Sequence, residues 1–193
     1  MWKKYLCRLP SFVLLVFVAC TTSPPRESVR DETFVPENWK TIAVLPFTGD
    51  AAFSRPAAEF FAYKLQKQQH FRIVTPGLAE IMLERQGFPL GGNEITIEEA
   101  QKLGRLVEAQ SVFIGKIEME NIPPKREYSP LIRRHARAEI KLIDVSQGRV
   151  VASVVQPSSP VMTHDYYDLA KNAIGQAAAE MMAVLDSLVK KNR

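Results

Sequence analysis

Hydrophobic positions along this 193-residue chain fall into blocks of different period, and each block predicts an element. Residues 41–47 (TIAVLPF) are β-branched and continuously apolar, as in a strand covered on both faces. Residues 42 and 44 should face one layer, and 43 and 45 the other. Pro56 then opens a helix predicted to reach about 69, with Ala58, Phe61, Ala62 and Leu65 on its inward stripe. A short strand follows at 71–74. Thr75-Pro76 reads as a helix cap and first position, and Gly87 suits the left-handed residue after that helix. Thr96 and Glu99 form a capping box for a third helix ending near 108. A strand is predicted over 111–118, with Gly115 inside it. Residues 134–145 alternate strictly, 146–148 turn, and 149–155 return, which is a hairpin with a polar outer face. A last helix over 165–189, capped by Thr163, places Ala170, Ile174, Ala177, Ala178, Met181, Leu185 and Leu188 on one stripe. The resulting order, β-α-β-α-α-β-β-β-α, predicts an α/β fold: a mixed sheet layered with helices.

Ahead of these blocks stands a different pattern. Lys3, Lys4 and Arg8 precede an apolar run over 11–19 (SFVLLVFVA), and a cysteine follows a small residue. This is the layout of a secretory signal, and the run falls short of the roughly 20 residues that span a bilayer. Phe17-Val18-Ala19-Cys20 resembles the lipobox of bacterial lipoproteins, with Phe17 in place of the usual leucine. The resemblance implies acylation of Cys20 and outer-membrane lipid as a partner. Thr21, where inner-membrane retention usually shows Asp, favours the periplasmic face of the outer membrane. Residues 1–19 are thus expected as signal peptide, 20–38 as a lipidated disordered tether rich in Pro and charge, and 39–193 as one domain.

Processing changes the charge and cysteine balance. The signal carries three basic groups and no acid, so the formal charge of +4 falls to +1. No clustered basic face remains to call for a nucleic-acid partner. Of the two cysteines, Cys7 leaves with the signal and Cys20 is the lipid site, so no disulfide, thiolate nucleophile or zinc cluster is available to the domain. His70, His135 and His164 stand at no metal spacing, and no metal or cofactor is expected. No serine sits in a G-x-S-x-G elbow, and Glu99 of the Glu98-Glu99 pair is accounted for by capping. Gly91-Gly92 lacks the Lys of a phosphate loop. Nothing in the sequence argues for an enzyme. Two features are candidate interaction surfaces. One is a basic loop holding Lys125, Arg126, Arg133 and Arg134. The other is the pair Phe60 and Tyr63, which helical geometry points away from the core.

Several of these segments carry a further resemblance: 42–47 (IAVLPF), 71–88 (FRIVTPGLAEIMLERQGF), 98–118 and 142–153 (LIDVSQGRVVAS). Together they resemble CsgG-type curli-secretion lipoproteins, the N-terminal domain of TolB and lipoprotein activators of penicillin-binding proteins, over about 40–188. The resemblance implies a non-enzymatic periplasmic domain working through contacts with envelope proteins or with itself. Channels of the CsgG type add two membrane hairpins per subunit. Only 134–155 alternates for long enough here, and the resemblance assigns it to the soluble sheet, so no pore is expected. The rival implied role is regulation of a peptidoglycan synthase. A tether of 18 residues reaching about 60 Å is short for crossing the periplasm.

Overall fold

The computed structural model describes residues 27–36, 39–88, 90, 93–122, 133–158 and 165–191. Its strands are β1 (Glu27–Arg30), β2 (Thr41–Val44), β3 (Thr48–Gly49), β4 (Arg72–Val74), β5 (Ser111–Ile122), β6 (Arg133–Asp144) and β7 (Arg149–Pro157). The helices are α1 (Ser54–Gln66), α2 (Pro76–Arg85), α3 (Ile97–Leu106) and α4 (Tyr166–Lys191). This is the expected mixed α/β order with β1 and β3 added.

One sheet runs β1-β7-β6-β5-β2-β4, with β3 pairing β5. The β-α-β connections make β2 parallel to both β4 and β5. The hairpins make β5, β6 and β7 antiparallel. Ile42 and Val44 of β2 enter the core under α1 and α4. Ala43 and Leu45 enter a second core under α2 and α3. The continuous apolar run at 41–47 therefore serves two layers. Ala138, Ile140 and Leu142 lie fully buried beneath α4, and Arg137 on the alternate face is exposed. The expected stripe of α4 is buried along its length, with Ala173, Val184 and Leu169 added to it. β6 pairs β7 with one extra residue: Leu142 faces Ala152 and Ile143 faces Val150, which leaves Val151 as the bulge.

The ends of the elements differ in instructive ways. Thr96 caps α3 with both bonds of the box, Glu99 N–H to Oγ1 at 3.2 Å and Thr96 N–H to Glu99 Oε2 at 2.9 Å. Thr75 precedes α2 in extended conformation, but its side chain makes no capping bond. Instead the Gly77 N–H donates to Glu59 Oε1 of α1 at 3.0 Å, and Arg55 pairs Glu80 at 2.8 Å. The neighbouring helix thus satisfies an amide that the sequence assigns to Thr75. Thr163 lies outside the described residues. Gly115 leaves room for an aromatic ring, since a Cβ there would stand 2.7 Å from Phe47.

The segment expected as a tether requires correction. Order begins before Trp39. Glu27–Arg30 pairs antiparallel with β7, and Asp31 N–H continues the ladder to the Val151 carbonyl at 2.9 Å. Phe34 is 1% exposed, against Trp39 at 5.3 Å between ring centroids, with the Arg149 guanidinium 4.8 Å from its ring. Trp39 Nε1–H in turn donates to the buried carboxylate of Asp144 at 3.0 Å. A short polar strand is held here because its partner strand supplies the backbone bonds and two aromatics supply the burial.

Candidate functional site

The sequence-derived candidates do not converge on one site. Cys20, Lys125 and Arg126 lie outside the described residues. Arg133 and Arg134 begin β6, paired with Ile122 and Asn121 of β5. Tyr63 is 53% exposed on α1, with the Lys67 ammonium 4.6 Å from its ring centroid.

Phe60 does not point outward as expected. It is half-buried and packs on the core shared by α1 and α4. Lys171 of α4 lies 5.9 Å from its ring, and a Cβ on Gly175 would touch it at 3.9 Å. The helical phase is right; what a single-helix wheel omits is that α4 runs alongside α1 and covers that flank. The two aromatics are therefore not one patch. Phe60→Ser should lower the unfolding free energy by about 1–3 kcal/mol, whereas Tyr63→Ser should stay within about 0.5 kcal/mol. Urea unfolding of the two single variants checks this, and equal effects would put both rings in the same environment.

A second arrangement was not visible in the sequence. The face of β5 and β6 turned away from α4 carries a ladder of charges. Lys116 Nζ meets Glu118 at 2.6 Å, Lys141 Nζ meets Glu139 at 2.7 Å, and His135 Nε2 meets Glu120 at 2.7 Å. Hydrogen bonding to Glu118, then its charge, holds the Lys116 ammonium above its ordinary range. Beside this ladder, Pro46, Ile95, Ile97 and Ile114 line a shallow groove of about 270 Å³ with Lys116 and Lys141 at its rim. These cations already have carboxylate partners two residues along their own strands, and His135 pairs Glu120 across strands, so the face reads as a solvated sheet surface. His70 stands 3.8 Å from Asp186, and His164 lies outside the described residues. Among the described residues no group of three or more His, Cys, Asp or Glu side chains is arranged to hold a metal. None of their helices is long and apolar enough to cross a membrane.

The Asp144 carboxylate gathers three bonds at one turn. Oδ1 accepts Ser146 Oγ–H at 2.6 Å and Gln147 N–H at 2.7 Å, while Oδ2 accepts the Trp39 indole. The turn over Ser146-Gln147-Gly148 was legible in the sequence; Asp144 as its acceptor, two residues before Ser146, and Trp39 as a further donor were not. The role is structural. At the same edge Asp31 is held below its ordinary value, chiefly by the Thr33 hydroxyl, with burial opposing, and with the Thr33 amide and Arg149 adding to the lowering.

No family model matches the chain, and no curated protein sequence does. Solved structures do match it in fold. Lipoprotein GNA1162 from Neisseria meningitidis is 14% identical, with 77% of this chain and 99% of that one covered at a TM-score of 0.50. A PelC dodecamer from Paraburkholderia phytofirmans matches at 14% identity, over 79% of this chain and 94% of that one, with a TM-score of 0.47. The LpoB C-terminal domain from Salmonella enterica matches at 14% identity over 67% and 87%, with a TM-score of 0.46. At such identities the likeness is one of fold: a mixed sheet with helices on both faces, in an architecture also used by lipoproteins.

Proposed function

We propose that this chain is an envelope lipoprotein, acylated at Cys20, whose periplasmic domain acts by protein contacts rather than by catalysis. The finer reading is a CsgG-type assembly or secretion component that makes no pore of its own. In support, β6 and β7 are sheet strands covered on one face by α4, as the resemblance assigned them. The observation that carries the reading is the N-terminal strand. With β1 starting at Glu27, only six residues separate it from Cys20. The leash from Cys20 to Glu27 is at most about 25 Å, far below the roughly 60 Å of a fully free tether. A domain held this close serves partners at the membrane. That weighs against reaching across the periplasm to a peptidoglycan synthase.

Cys20→Ser tests the anchor. The variant should fold normally and leave the membrane fraction, because Cys20 precedes every described contact. Cosedimentation of the variant with outer membrane after a high-salt wash would refute the lipid anchor.

A further inference from the structure

The short leash also has a direction. β1 enters the sheet at the end where β7 stops, since Glu27 pairs Val155. At that same end β5 stops and β6 starts. Both helices of the larger core begin there as well. The Asp50 N–H bonds the Ile117 carbonyl just before α1, and Phe53 precedes the helix. The α4 start lies beside it: the rings of Tyr166 and Tyr167 are 6.2 and 5.5 Å from that of Phe53. At the far end of α1, Gln68 Nε2–H bonds the Met182 carbonyl, so the two helices run parallel. The leash therefore leaves the domain at the end that carries an aromatic cluster. Tyr167, its outermost member, is 54% exposed.

We propose that this end of the domain rests on the phospholipid surface holding the Cys20 lipid, with Tyr167 in the headgroup layer and Phe53 and Tyr166 behind it. The inference rests on the anchored-lipoprotein reading above. Two observations choose a bilayer as the occupant. The chain outside the sheet is too short to let this end move far from the membrane. Tyrosine, with an apolar ring and a polar tip, is suited to the headgroup layer. Asp165 and Asp168 flank Tyr167, so charge does not draw this end to anionic headgroups and the ring has to supply the contact. One tyrosine would not hold a free protein on a membrane. On a short leash its effective concentration at the surface is in the millimolar range, and it has only to bias the orientation. The exposed Leu78 and Ile81 of α2 belong to the opposite face of the sheet and have no such relation to the leash.

Acylation consumes the Cys20 thiol, so one introduced cysteine can carry a nitroxide on the full-length acylated protein. Ala51→Cys puts the probe in the exposed turn beside Phe53 and leaves Tyr167 in place, and Arg105→Cys puts it at the end of α3 on the other face. In vesicles of phosphatidylethanolamine and phosphatidylglycerol, the ratio of accessibility to oxygen over accessibility to a water-soluble nickel chelate should be several times higher at 51 than at 105. High salt should leave that difference in place, because it does not depend on screened charge. Adding Tyr167→Ser should bring the two ratios together, with circular dichroism showing the fold retained. Equal ratios at 51 and 105 on protein that stays with the vesicles would overturn the orientation while sparing the anchor. A ratio at 51 that ignores Tyr167→Ser would overturn the role of that ring. A wild-type chain that is exported and processed but carries no acyl group on Cys20 would remove the anchor and this inference together.

Discussion

Phe34→Ala should lower the unfolding free energy by about 3–5 kcal/mol, the range for emptying an aromatic site in a packed core. Were residues 27–38 a free tether, the same substitution would cost almost nothing. Phe34 is 1% exposed, lies against Trp39, and has the Arg149 guanidinium over its ring. Removing it unseats both neighbours. Trp39 loses a packing surface while its indole N–H stays committed to the Asp144 carboxylate. Arg149 loses the ring and keeps its 3.1 Å pair with Asp31, which is partly solvated and worth little. The damage should reach β1, whose four residues have no core side chain of their own. Urea unfolding in the Cys20→Ser background gives the number, and hydrogen exchange at the Asp31 amide should accelerate with it. A cost below about 0.5 kcal/mol would mean that the arm detaches freely from the domain.

That arm was also the least legible part of the sequence, for a physical reason. Edge strands of natural sheets are short and polar because long apolar edges invite aggregation. Glu27-Ser28-Val29-Arg30 fits that description and gives no hydrophobic period to read. What orders the arm is Phe34 and Trp39, single aromatics among prolines and charges, together with Asp144, 105 positions from Trp39. Central elements were readable because burial on both faces imposes a pattern. β2 showed its continuous run, α4 its small-residue stripe, and α3 its local capping box. Readings that failed involved a neighbour. Phe60 had the right helical angle, but α4 decides what that angle meets. Thr75 had the right place, but Glu59 of α1 takes the helix amide.

The candidate site followed the same division. The proposed lipid site, Cys20, stands in a local motif, so that proposal needs only the residues around it. The aromatic cluster at the start of the helices is assembled from Phe53 and Tyr167, 114 positions apart, and only the parallel course of α1 and α4 brings them together. Helices in a layered α/β fold pack according to the sheet beneath them, so the meeting of two helix starts depends on strand order. That order was predicted as a class, a mixed sheet. The adjacency that follows from it, with α4 over β6 and β7 beside α1, is a property of the tertiary packing and leaves no local trace in the sequence.

Leu45→Ala should cost about 2–5 kcal/mol, the range for a fully buried leucine that leaves a cavity. Leu45 has no exposed surface, and its N–H extends the β2–β5 ladder to the Phe113 carbonyl at 3.0 Å. It belongs to the smaller core with Ala43, Leu83, Leu103 and Val112, the layer that holds α2 and α3 on the sheet. Each of those helices has ten residues, too few to be stable without that support. A cavity at 45 should therefore loosen α2 and α3 before it loosens α4, which packs on the other face. Two readings check the claim. Reversible urea unfolding should show the loss in total stability, and native-state hydrogen exchange should show amides of α2 and α3 speeding up more than those of α4. A total cost under about 0.5 kcal/mol would remove β2 from the centre of the sheet. Uniform acceleration across all four helices would merge the two cores into one cooperative unit, contrary to the separate layers that the alternation of Ile42, Ala43, Val44 and Leu45 builds.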